Sequence, residues 1–329
     1  MSTKELVREL GRRCVQKIAT VDLDATIIES RKREAQPTYQ GSRGDQPMLA
    51  LWAELDVVVA GQFRDGNVAA IQDPLSVARR AWQALPETVE EFCSRGGSAC
   101  YESGLPDWPR DENREKGPQG LIGFAVSAPM TKPLKGAVLE VSAEKWESYR
   151  DETEADFDCA AVGYYPGEPR ANDYREPLRY VAIRVNKKQA ELFAGGAEGK
   201  YFAVATNLRD WSARRLPQWH REQQGSIQAL HDVLKNELAA GVMPCGRFGA
   251  NAAWLRLNAI THNTLTAMKR LALPPELLRA RPKRLRFLIF HTPGKLVHHA
   301  RRVLLRLPRA WRRFSGWRWA LQQLPLPAS

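Results

Sequence analysis

Two aspartates, Asp22 and Asp24, sit in the run Thr20-Val21-Asp22-Leu23-Asp24-Ala25-Thr26, where an apolar alternation would otherwise continue. Residues 17–29 alternate and are rich in β-branched side chains, which predicts a strand, and in a strand positions i and i+2 share a face. Two carboxylates on one face of a central strand are costly to bury without a cation. They are either ligands of a divalent metal or a strand end paired with Arg31 or Lys32, and the spacing leaves both open.

The second chemical signal is charge. From Lys269 to the end stand fifteen Lys or Arg against one acid, Glu276; that net +14 leaves about −2 for the rest of a chain whose formal charge is +12. A near-neutral body with a basic tail points to a polyanion, nucleic acid first and an acidic membrane surface second. In the tail, Leu296, Val297, Ala300, Val303, Leu304 and Leu307 fall at helical spacing, with Arg301, Arg302 and Arg306 off the stripe and His298 and His299 on the polar side. This predicts an amphipathic helix. Beyond Pro308, Trp311, Phe314 and Trp317 interleave with Arg312, Arg313 and Arg318, a pattern suited to phosphate contact and stacking or to a membrane interface.

Other chemistries lack support. Gly195-Gly196-Ala197-Glu198-Gly199-Lys200 departs from a phosphate-binding loop at Ala194 and Tyr201 and reads as a hairpin turn. The six histidines (His220, His231, His262, His291, His298, His299) show no zinc spacing, and no G-x-S-x-G elbow occurs. Five cysteines without a C-x-x-C pair read as reduced thiols of a cytoplasmic protein. At 329 residues, 43% hydrophobic and 26% charged, the chain suits a globular fold with a sizeable core. No apolar run approaches the roughly 18–20 residues of a membrane span.

The elements that must position these residues follow an α/β order. After the first strand, residues 48–60 predict one or two more. Helical spacing runs from Asn67 to Leu85 through Val68, Ile71, Leu75, Ala78 and Trp82, with Pro74 as a kink. A strand near Thr88–Cys93, a short helix around Cys100–Trp108 and a buried strand over Leu121–Ser127 come next. Residues 140–207 predict an all-β insertion, followed by helices over Ser212–Ala240 and Ala250–Leu273. The expected division is 1–139 for the first part of the core, 140–207 for the insertion, 208–273 for the last core helices and 274–329 for a basic helical tail.

In this order, the motifs Thr20 to Thr26, Lys32-Arg33-Glu34-Ala35, Gln46-Pro47-Met48-Leu49-Ala50, Arg95-Gly96-Gly97-Ser98-Ala99, and the stretch from Leu234-Lys235-Asn236-Glu237-Leu238 to Trp254-Leu255-Arg256-Leu257 resemble the DDE transposases of bacterial insertion sequences. The resemblance covers roughly Lys17 to Leu307. It implies an RNase H-like core, a mixed sheet flanked by helices with a β-rich insertion, and three carboxylates holding two Mg²⁺ or Mn²⁺ ions for phosphodiester cleavage and strand transfer. It further implies DNA partners (element ends and target), a homo-oligomer or a mixed oligomer with full-length transposase, and a cytoplasmic, nucleoid-associated bacterial protein.

The resemblance assigns the first carboxylate to Asp24, with Asp22 as the fallback, and makes Asp24 the metal ligand. The second falls on Gly97 and the third, seven residues before Lys235, on Gln228. Those two positions are substituted, and Arg221 and Gln224 replace the Tyr and Arg of the late signature. Asp232, Glu222 and Glu102 are the nearest acids that could stand in. Loss of two negative charges beside two dications removes several kcal/mol of metal and transition-state stabilisation, about the whole metal contribution, so weakened metal binding and defective catalysis are expected. Lys235, Arg221, Arg301, Arg302, Arg306, Arg312 and Arg313 are the expected DNA contacts. The family usually carries a recognition segment before its first Asp, so an N-terminally truncated copy is expected. The alternatives are a non-catalytic DNA-binding inhibitor and a membrane-surface protein.

Overall fold

The computed structural model describes residues 3–101, 104–111, 113–115, 117–150, 156–166, 177–185, 200–300, 302–308 and 314–323. Strand β1 (Ile18–Ala25) is the hub of a nine-stranded sheet because its two faces are dressed differently. Val21 and Leu23 face one layer with Met48, Ala50 and Trp52, while Asp22 and Asp24 lie cross-strand from Leu51 and Leu49 on the other. β5 (Met48–Trp52) pairs antiparallel with β1, and β6 (Val57–Gln62) pairs antiparallel with β5. On the other side of β1, β7 (Glu91–Gly96) and β8 (Ile122–Ala128) run parallel to it. The order β6-β5-β1-β7-β8, three antiparallel strands and then two parallel to the first, is the RNase H-like arrangement that the resemblance implies.

Beyond β8 the sheet continues antiparallel through β12 (Tyr201–Thr206), β11 (Arg179–Val185), β10 (Asp156–Val162) and β9 (Glu147–Arg150). The strands anticipated in the insertion thus extend the main sheet. Short strands β2 (Ile28–Glu29), β3 (Gln36–Pro37) and β4 (Arg43–Asp45) form a small separate sheet between β1 and β5. The Gly195–Lys200 turn lies, up to residue 199, outside the described residues.

Helices cover both faces. α1 (Thr3–Arg13), α2 (Pro74–Ala84), α3 (Gly104–Arg110) and α4 (Lys132–Leu139) bury Leu10, Val77, Trp82, Leu105, Trp108 and Leu134 against one face. α2 does not begin at Asn67 with a kink at Pro74. Pro74 is its first residue, where a missing N–H costs nothing, and Asp73, in a left-handed conformation (φ 49°), caps it by accepting from the Ser76 N–H at 3.1 Å. The other face carries α5 (Arg215–Arg221), α6 (Ile227–Asn236) and α7 (Phe248–Leu271). The single helix expected over Ser212–Ala240 is broken at Gly225 and Ser226, so α6 makes its own approach to the sheet. α7 is tied to β6 by a buried amide: Asn263 accepts from the Val58 N–H at 2.7 Å and donates to the Val58 carbonyl at 2.8 Å. That side chain satisfies backbone groups that the edge strand would otherwise bury unpaired.

The tail helix expected over Leu296–Leu307 is instead a hairpin, β13 (Lys295–His299) against β14 (Arg302–Arg306). Its six apolar residues satisfy a helical period and a strand pairing alike; Ala300, at φ 43°, takes a turn conformation that a right-handed helix excludes. A further helix, α8 (Phe314–Gln323), follows.

Candidate functional site

The site forms where the C-terminal ends of β1 and β7 lie side by side and α6 crosses them. Parallel pairing sets Leu23 against Gly96, so Gly97 follows the end of β7 beside Asp24, which stays paired with β5 near the end of β1. This places the first two resemblance-assigned positions together.

Asp22 and Asp24 have different surroundings. Asp22 is fully buried and held bidentately by Arg95, with Nε 2.7 Å from Oδ1 and Nη2 3.0 Å from Oδ2; the Ser226 hydroxyl also donates to Oδ2. The cation paired with it is therefore Arg95, rather than Arg31 or Lys32. Arg95 continues to the Trp219 carbonyl at 2.8 Å and the Glu222 carboxylate at 2.7 Å, with its guanidinium over the Trp219 ring. Both oxygens of Asp22 are occupied by donors that compete with a metal.

Asp24 remains about one-third exposed. Its Oδ1 accepts from the Ala25 N–H at 3.0 Å, and its Oδ2 lies 3.4 Å from Nε2 of His231 on α6. His231 is buried. Lys235, one turn further along α6, is half-buried: burial lowers its pKa, and the nearby Asp24 and Glu29 carboxylates oppose that shift. Gln228, exposed and one turn before His231, completes a stripe at 228, 231 and 235.

Gly97 has an ordinary φ of −74°, and a Cβ there would meet nothing within 4 Å. The position has room for a carboxylate and holds none. Gly96 is the opposite case, since its Cβ would come within 2.6 Å of the Cys100 sulfur. His220, buried on α5, fixes this turn from the other side, its Nε2 3.0 Å from the Gly96 carbonyl. The Gln223 amide nitrogen also lies 3.0 Å from the same Nε2. Burial, together with the positive charges of Arg95 and Arg221, pushes the His220 pKa down to about 4, against the opposing hydrogen bond to Gly96.

The acids considered as substitutes are engaged elsewhere. Asp232 is partly exposed and pairs with Arg281 and Asn236, and Glu222 pairs with Arg95; Glu102 lies outside the described residues. Among the described residues, the donors at the end of β1 are thus the Asp24 carboxylate, a neutral amide on the exposed side of α6 and an imidazole nitrogen, with the Glu29 carboxylate further off beside Lys235. Mg²⁺ and Mn²⁺ favour several oxygen ligands, and among the described residues no group of three or more His, Cys, Asp or Glu is arranged to hold a metal. These residues do not fit the two-ion centre that the resemblance implies.

Of the expected DNA contacts, Lys235 is at the site, Arg221 stacks on the Phe157 ring with its guanidinium 4.1 Å from the centroid, and Arg302 and Arg306 are exposed on the terminal hairpin. Arg301, Arg312 and Arg313 lie outside the described residues, as does Trp311. Sequence reasoning missed His231, His220 and the Arg95 cluster. His231 had a signal, three residues after Gln228 and four before Lys235 on one helix; His220 reaches Gly96 across 124 residues and had none, and Arg95, though part of the quoted Arg95–Ala99 motif, gave no sign of partners 73, 124 and 127 residues away.

The profile of the family described as "Transposase DDE domain group 1" matches residues 4–326, and the chain belongs to that family. No curated protein matches it. Among solved structures it is similar to a piggyBac transposase in a synaptic complex with hairpin DNA, at 10% identity and a TM-score of 0.47, over 82% of this chain and 51% of that one. The chain therefore spans about half the length of that transposase. Among the described residues no helix is long and apolar enough to cross a membrane.

Proposed function

We propose that this protein is an insertion-sequence transposase of bacterial type that engages DNA at element ends but lacks the carboxylates for cleavage and strand transfer. The observation that carries the reading is the isolation of Asp24 beside Gly97, a position with space for an acid and no side chain to fill it. Mg²⁺ or Mn²⁺ binding is correspondingly weak. Lys235, beside Asp24, and the basic C-terminal segment supply phosphate contacts. The protein works in the cytoplasm on nucleoid DNA. An ordered core around a depleted site favours a role as a non-catalytic inhibitor that joins catalytically intact copies in mixed oligomers.

A plasmid nicking and end-cleavage assay with Mg²⁺ and Mn²⁺ tests this, using DNA that carries the ends of the surrounding element. The native chain stays silent, the Gly97→Asp/Gln228→Glu double variant cuts, and adding Asp24→Ala to that variant abolishes cutting. Cleavage by the native chain that is lost on Asp24→Ala overturns the claim of a depleted site.

A further inference from the structure

The terminal hairpin sorts its residues by chemistry. Register places Lys295 opposite Arg306, Val297 opposite Leu304 and His299 opposite Arg302, so these six share one face. Leu296 opposite Leu305 and His298 opposite Val303 make the other. Apart from the half-buried Val297, every residue of both strands is exposed. One face therefore carries three permanent cations and a histidine, and no acid occurs after Glu276 to neutralise them.

We propose that the β13–β14 ribbon is a DNA-contacting arm that lays this basic face into the major groove of a duplex. The inference rests on the reading above that the protein binds DNA. A two-stranded ribbon fits the major groove, which is about 12 Å wide. Four residues of strand separate Lys295 from His299, so the Lys295/Arg306 and His299/Arg302 pairs stand about 13 Å apart along the ribbon. That span lets each pair meet one phosphate wall, while Val297 and Leu304 between them face the base edges, where apolar side chains contact thymine methyl groups. The same sorting disfavours a lipid surface. An interfacial element buries its apolar face with its cations along the rim, whereas here burying Leu296, Val303 and Leu305 would aim the cations away from anionic headgroups.

The test uses the full chain, a fluorescent 30-base-pair duplex and anisotropy from about 50 to 200 mM salt. Lys295→Gln/Arg302→Gln/Arg306→Gln is compared with a charge-matched control on other exposed tail residues, Lys283→Gln/Arg284→Gln/Arg286→Gln, with thermal melts showing that both are folded. The ribbon variant weakens binding about tenfold or more and lowers the log–log salt slope by about 2–3, close to one for each phosphate it no longer neutralises. The control changes both much less, and prior methylation of guanine N7, in the major groove, weakens binding of the native chain. Equal effects in the two variants overturn the proposal. So does a ribbon variant that keeps DNA affinity but no longer binds vesicles of anionic lipid. If the native chain binds no duplex at any salt, the DNA reading itself fails, an outcome distinct from failure of the ribbon alone.

Discussion

Asp22 and Asp24 are two residues apart on one face of one strand, yet they occupy opposite regimes. Asp22 sits in a closed electrostatic cluster with both oxygens held by Arg95 and a further bond from Ser226, and Glu222 and Trp219 complete the coordination of that arginine. Asp24 stands at the strand's end, partly exposed, beside an unfilled position and a buried imidazole. The first acid pins α5 and α6 onto the sheet; the second is left accessible by the scaffold so produced. Depth along the strand makes the difference. Two residues of travel take the chain from the buried Arg95 cluster at the start of α6 to the rim where parallel strands end, which is where open α/β sheets present their chemistry.

The contrast breaks most visibly at Asp22. Removing its charge in Asp22→Ala strands the buried Arg95 guanidinium, and denaturant unfolding is expected to show a loss of about 3–5 kcal/mol. Asp24→Asn, at a partly solvated carboxylate, costs about 1 kcal/mol or less in the same measurement. Comparable losses at the two positions would erase the distinction between structural and exposed acid.

A pH titration of stability probes the clamp beneath the site. His220 has a folded-state pKa of about 4 against an ordinary value near 6.5, so between those values the unfolded chain binds the extra proton. Stability is therefore full above pH 6.5 and falls as the medium is acidified toward pH 4, by about 3 kcal/mol from this residue. A His220→Gln variant should flatten that slope, and an unchanged slope would remove His220 from the account.

The two adjacent glycines sharpen the comparison at smaller cost. Gly96→Ala drives a Cβ into Cys100 and should lose about 1–3 kcal/mol as an overpacked site. Gly97→Asp enters open space with an unstrained backbone and should change stability by about 0.5 kcal/mol or less. Melting both variants checks this; a large loss at position 97 would show that the turn has no place for an acid.

Much of this arrangement was legible along the chain. The alternation around Asp22 and Asp24, the buried run in β8 and the long α7 appear where periodicity puts them, because each carries one dominant period. The early part of the predicted 67–85 helix fails because Pro74 and its Asp73 cap start the helix locally, whatever apolar residues precede them. The tail stripe misleads for a different reason: Leu296, Val297, Val303 and Leu304 serve a helical face or paired strands equally well, and the turn at Ala300 settles which.

By itself the sequence determined most elements of the core, the pair of acids in the first strand, the Gly and Gln at positions 97 and 228, and the concentration of positive charge in the last sixty or so residues. These are local properties, set by side-chain type and period. Tertiary structure alone decided which aspartate is consumed by Arg95 and that a histidine, His231, faces the one that is not. It also decided that the tail's cations gather on one face of a ribbon. Those outcomes depend on residues 73, 204 and 207 positions apart meeting across the sheet and on cross-strand register in the hairpin. Burial and partner geometry fix such pairings, and a linear pattern does not encode them.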